Sequence, residues 1–146
     1  MIIREQIAQA VIDRLRPLTT VPVLRREQYE DESEFVCVWD QTQETSRDDY
    51  GRLTHTMDLT VEFIRQDSSG YASPAAAVSG MYGDLVLALF NDPATGEPDP
   101  TFAGLADNMT ESSMIPLTPE AGLRIVGLSL QVEITYHTKH GDPFSQ

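Results

Sequence analysis

The sequence holds one cysteine, Cys37, and one tryptophan, Trp39. A single thiol excludes an internal disulfide and leaves no cysteine pair for a zinc site, which fits a reducing cytoplasm. Cys37 therefore reads first as a small buried hydrophobe. No apolar run approaches the roughly 18 residues that a membrane-crossing helix needs, so the expectation is a globular chain with no membrane partner. The first residues, MIIREQIAQAVIDRL, also lack the basic start and unbroken apolar stretch of a secretory signal, because Glu5, Gln6, Gln9 and Asp13 interrupt them. That segment is expected to stay in the mature protein.

Positive charge is scarce. Ten Lys and Arg stand against 23 Asp and Glu, a formal charge of -13. A surface of that sign repels phosphate and forgoes counterion release, which excludes sequence-specific nucleic acid as a partner. Much of the excess is local: from Glu27 to Asp49 only Arg47 opposes a run of carboxylates. A solvated face kept apart by like charge is its plainest reading.

Reaction motifs are missing as well. There is no G-x-S-x-G elbow and no Gly-rich phosphate cradle followed by lysine. Carboxylates crowd the stretch from Asp40 to Asp49, but acid–base work needs environments that drive two pKa values apart, and a wet loop does not supply them. The candidate metal ligands are His137, His140 and Asp142, which could converge if the chain turned, with His55 as the one further ligand in reach. Strand geometry argues against the set, since side chains three apart on a strand lie on opposite faces. The expectation is a protein that is not an enzyme and takes no cofactor or metal.

What is present is pattern. A length of 146 residues suits one domain with one core. Ile3, Ile7, Ala10, Val11, Leu15 and Leu18 recur at helical spacing, and Pro17 should end that helix. ESEFVCVW is a strand apolar on both faces, and HTMDLTVEF a strand whose Met57, Leu59, Val61 and Phe63 alternate with polar residues. Between them DQTQETSRDDYGRL has no period, and a mobile loop over about residues 40–54 is expected. Ser73 and Pro74 start a second helix carrying Val78, Met81, Leu85, Val86 and Leu89.

The Pro-rich NDPATGEPDPTFAG is a loop, NMTESSMI a weaker strand, and TPEAG a turn using Gly122. The clearest element closes the chain, with Val126, Leu128, Leu130, Val132, Ile134 and Tyr136 in strict alternation, before a polar tail over about residues 137–146. The order predicts an α+β fold: a mostly antiparallel sheet with an N-terminal helix and a second helix packed on one face.

This order of elements, opening with IIREQIAQAVIDRLRPL and ending in YHTKHGDPFS, resembles the tail-terminator or minor tail proteins of long-tailed bacteriophages and related prophages. The likeness covers most of the chain. It implies a structural homo-oligomer, commonly a hexameric ring, that docks on the tail-tube protein, stops tube polymerisation and offers a surface to the head-completion protein. Such a protein works in the host cytoplasm during assembly and then in the virion tail. A neck or head-to-tail connector subunit is the alternative, and behind it a metal-dependent enzyme using His55, His137 and His140. On that resemblance, Asp48, Asp49, Tyr50 and Arg52 in the loop and Lys139, His140, Asp142 and Phe144 in the tail are expected to bind partners. Asp40, Glu44, Asp48 and Asp49 are expected to line an acidic channel from which DNA phosphates are repelled.

Overall fold

The computed structural model describes residues 1–18, 23–26, 34–48, 51–66, 74–117 and 125–146. The N-terminal apolar stripe forms α1 (Ile3–Leu15), and Pro17 falls in the 3-10 turn Arg16–Leu18 that ends it. Strands β1 (Val23–Arg25), β2 (Phe35–Arg47) and β3 (Arg52–Gln66) follow, then α2 (Pro74–Phe90), β4 (Asn108–Leu117) and β5 (Ile125–Lys139). The five strands make one sheet in the order β1-β2-β3-β5-β4. Its pairs are antiparallel except for the short β1–β2 contact. The fold is α+β.

Alternation explains the layering. Met57, Leu59, Val61 and Phe63 of β3 lie opposite Ile134, Val132, Leu130 and Leu128 of β5, and Val61 and Phe63 lie opposite Val38 and Val36 of β2. Residues facing one another across a sheet share a side. All of these are buried in one cluster with Ile7, Val11 and Leu15 of α1 and Met81, Leu85 and Leu89 of α2, so both helices cover the same face. Cys37 is buried on the other face, as an apolar strand covered on both sides requires. The turn TPEAG and the capping Ser73 lie outside the described residues.

Residues 40–54 are not the expected loop. β2 runs on to Arg47 and β3 begins at Arg52, and the amide of Asp48 donates to the Arg52 carbonyl at 2.9 Å to close a hairpin. The sequence is silent here for a physical reason: most of the outer arm of β2 beyond Asp40 is exposed, so Thr42, Glu44 and Ser46 have no apolar period to keep. Ladder hydrogen bonds hold it instead. A bulge between Asp40 and Gln43 shifts the register as well.

The expected polar tail over 137–146 is corrected in the same way. β5 continues to Lys139, and Gly141 at φ 78° turns the chain back. The returning residues are fastened, Ile3 N–H donating to Pro143 O at 3.0 Å and Lys139 N–H to Ser145 O at 3.0 Å.

Gly127 of β5 answers to a close approach. A Cβ there would stand 2.8 Å from the Phe63 carbonyl oxygen and 2.8 Å from Ile64 Cδ1. Gly127→Ala should therefore lower stability by about 1–3 kcal/mol, the usual cost of overpacking, measured by urea unfolding.

Candidate functional site

Two segments far apart in the chain meet at one end of the sheet. The β2–β3 hairpin and the C-terminal turn are joined by His140 N–H donating to Gly51 O at 2.9 Å. Of the residues expected to bind partners, Asp48 accepts from Arg52 twice, from its amide at 2.9 Å and its Nε at 3.0 Å. Asp142 accepts from the Phe144 amide at 3.0 Å, leaving the Phe144 ring 60% exposed. Asp48, Arg52, His137 and Lys139, with Gly51 and Gln146, line an open groove of about 510 Å³. Asp49 and Tyr50 lie outside the described residues. The structure thus brings Asp48, Arg52, Lys139 and His140 to one rim.

Asp40 does not belong to any channel lining. It is 6% exposed and is gripped by Arg25, whose Nε and Nη2 each donate to one carboxylate oxygen at 3.1 Å. Arg25 and, behind it, burial and Arg4 act on this carboxyl, and the net effect holds it below the ordinary carboxylate range. The alternation of β2 explains the correction: Asp40 continues the inward series Val36, Val38, where a charge is tolerated only because arginines meet it. Glu44 is exposed and Asp48 is half-buried against Arg52.

Behind the rim lies a second cleft, of about 320 Å³, walled by Arg4, Gln43, His55, Tyr136, Thr138 and Lys139 among others. Its hydrogen bonds assign its protons. Arg4 Nη1 can only donate, and it reaches Gln43 Oε1 at 2.7 Å, which also accepts from the Tyr136 hydroxyl at 2.7 Å. The Gln43 amide nitrogen must then donate to His55 Nδ1, 3.2 Å away, so the His55 proton sits on Nε2 and goes to Thr138 Oγ1 at 2.8 Å. The imidazole is neutral, and its ring centroid stands 4.7 Å from that of Tyr136.

Burial, then the charge of Arg4, pushes the His55 pKa down from the ordinary 6.5. The folded value lies below the unfolded one, so the unfolded chain takes up a proton first as pH falls. The contribution of His55 to stability is complete above about 6.5 and is lost as pH drops toward the folded value. Melting temperatures between pH 7.5 and 5 should fall with acidification, and His55→Gln should flatten that slope.

Both His55 nitrogens are engaged, and the neighbouring hydroxyls serve the same network. Among the described residues no three of His, Cys, Asp and Glu are placed to hold one ion. His55 pairs with Tyr136 while His137 pairs with Thr54, which puts the two histidines on opposite faces. His137 instead contacts Asp107 at 2.8 Å. The sequence did carry a signal for the cleft: His55 precedes Met57, Leu59 and Val61 in the same parity, and Tyr136 ends the apolar series of β5.

Compared with known proteins, the chain matches no family model and no curated protein. No helix among the described residues is long and apolar enough to cross a membrane.

Proposed function

We propose that this chain is a structural subunit of a phage tail, which assembles as a ring on the last tier of the tail tube, ends tube growth and presents a surface for head joining. It would act in the host cytoplasm during assembly and remain in the virion. The observation that carries the reading is the rim itself: a hairpin turn and a C-terminal turn tied together at one end of the sheet, bearing Arg52, Lys139, His140 and the exposed Phe144. An exposed aromatic among charges is the composition of a contact surface, and aromatic and Arg anchors carry much of the energy at such surfaces. The resemblance in element order and in the ending YHTKHGDPFS supports the choice of partner. Repulsion of passing DNA remains part of the proposal only for Glu44, Asp48 and Asp49.

The test is co-assembly. Added to polymerising tail-tube protein, the purified chain should shorten the tubes and appear at their ends in electron micrographs. Arg52→Glu with Lys139→Glu should weaken end binding by about tenfold or more, since charge reversal sets like charges against one another at the contact. Tubes that grow to the same length with bare ends would sink this reading. Binding to a portal or adaptor protein in place of the tube would shift it to a neck connector.

A further inference from the structure

A strand at the edge of a sheet presents unpaired amides and carbonyls, and proteins that stay monomeric blunt such edges with lysine, proline or brevity. β4 is long for an edge at ten residues, and nearly all of it is exposed. It carries no lysine. Ile115 is 60% and Met114 36% exposed, and only Pro116 and a bulge between Glu111 and Ser113 interrupt it. Among the described residues the opposite edge is open as well. β1 pairs only with Val36–Val38, and among the described residues nothing pairs with the outer edge of β2 from Thr42 to Arg47.

The two edges differ in charge. Residues 66–123, which include α2 and β4, contain no lysine or arginine at all. Asp84, Asp107, Glu111 and Glu133 are exposed on that side of the sheet. The cations lie across the sheet: Arg4 on α1, Arg25 and Arg26 at β1, Arg47 and Arg52 on the hairpin, and Lys139 beside it. The Arg26, Arg47, Arg52 and Lys139 side chains are exposed. Six of the ten positive groups thus lie on the β1–β2 side, mixed there with Asp40, Glu44 and Asp48, whereas the β4 side has carboxylates alone.

We infer that the β4 edge of one copy joins the outer β2 edge of the next, head to tail, to form a continuous sheet between subunits. β2 and β5 run one way and β3 and β4 the other, so a neighbour's β2 laid along β4 in the same orientation is antiparallel to it. Every helix then stays on the same face of the joined sheet. Such a contact is heterologous, and it closes into a ring when the rotation allows. A two-fold β4–β4 contact would instead bring two strands together that carry Glu111 and no cation, and like charge opposes it. This inference takes the ring from the proposed function and names its seam, while its test uses no tail tube.

The experiment mixes two half-blocked variants. Glu111→Lys with Ile115→Lys blocks the β4 edge, and Thr42→Glu with Arg47→Glu blocks the β2 edge. Both are first checked for a wild-type circular dichroism spectrum. Wild-type mass should rise with concentration in sedimentation velocity at about 0.15 M salt, where repulsion between molecules of charge -13 is screened. Each variant alone should be monomeric, and an equimolar mixture should give a 1:1 dimer and nothing larger in native mass spectrometry.

A wild-type protein monomeric at every concentration, a variant that assembles alone, or a mixture that stays monomeric would each overturn the seam. Should a variant misfold, hydrogen exchange on the wild type decides. Amides of residues 108–117 and 42–47 must gain protection as mass rises, and unchanged exchange there overturns the inference. Assembly through this seam without tube capping would leave the seam standing and remove the proposed function. Tube capping by rings that ignore these edges would do the reverse.

Discussion

Replacing Arg14 with alanine is expected to lower the unfolding free energy by about 3–5 kcal/mol, the range for breaking a buried ion pair from one side. Arg14 is 7% exposed although it sits on a surface helix. Its Nη1 donates to Leu89 O and to Asp99 O, each at 2.7 Å, and its Nη2 to Asp99 Oδ2 at 2.9 Å. The guanidinium carbon also lies 4.3 Å from the centre of the Phe102 ring. One planar group therefore ties α1 to the end of α2 and to the Pro-rich loop after it. Alanine would take the Arg14 donors from two carbonyls and from the Asp99 carboxylate. Lysine should not rescue it, since a single ammonium cannot meet this forked set and the ring together. Urea unfolding of Arg14→Ala and Arg14→Lys measures both.

The partner carboxyl adds a pH signature. Hydrogen bonds from the Thr101 hydroxyl first, then from the Ala103 and Thr101 amides, with the charge of Arg14, hold Asp99 down to about 2 against the desolvation that opposes them. A folded value below the ordinary 3.8 means stability that is present above 3.8 and lost as pH falls toward 2. Acid should loosen this loop in that window.

Asp40→Ala should cost about 3 kcal/mol, somewhat less than the full penalty for a broken buried pair because Arg4 and Arg25 keep some contact with water. Their side chains are 24% and 27% exposed, against 8% for Asp40. The loss should concentrate on β1. That strand has three residues and one neighbour, and Arg25 secures it by pairing with Asp40 and with Glu5 of α1. Arg25 is itself held charged, by the Asp40 hydrogen bond before that of Glu5. Amide exchange of residues 23–25 should accelerate in the variant more than that of β5. Uniform acceleration across the sheet would show that Asp40 acts on global stability alone.

How far the sequence could be read depended on whether burial imposed a period. Met57 to Phe63 and Val126 to Tyr136 were legible because one face of each strand had to be apolar. The outer arm of β2 was illegible because, apart from Gln43 against Arg4 of α1, its side chains from Gln41 to Arg47 are exposed, so Thr42, Glu44 and Ser46 satisfy the ladder with any exposed side chain. The rim residues Asp48, Arg52, Lys139 and His140 could be singled out by type and position. Their meeting could not, since it rests on β3 and β5 pairing in the register that sets Arg52 beside Lys139.

By itself the sequence determined the α+β order, the inward faces of α1, β3 and β5, and the scarcity of cations. Each of these is a local pattern or a simple count. Only the tertiary structure decided that Asp40, with Arg25, and Arg14, with Asp99, are buried in two separate ion pairs and are not surface charges. It also decided that Arg25, Arg26 and Arg47 stand on the side of the sheet opposite β4, whose own segment has no cation. The reason is that a charge pair or an edge is a relation between distant segments, and pairing register, which no single segment specifies, brings those segments together.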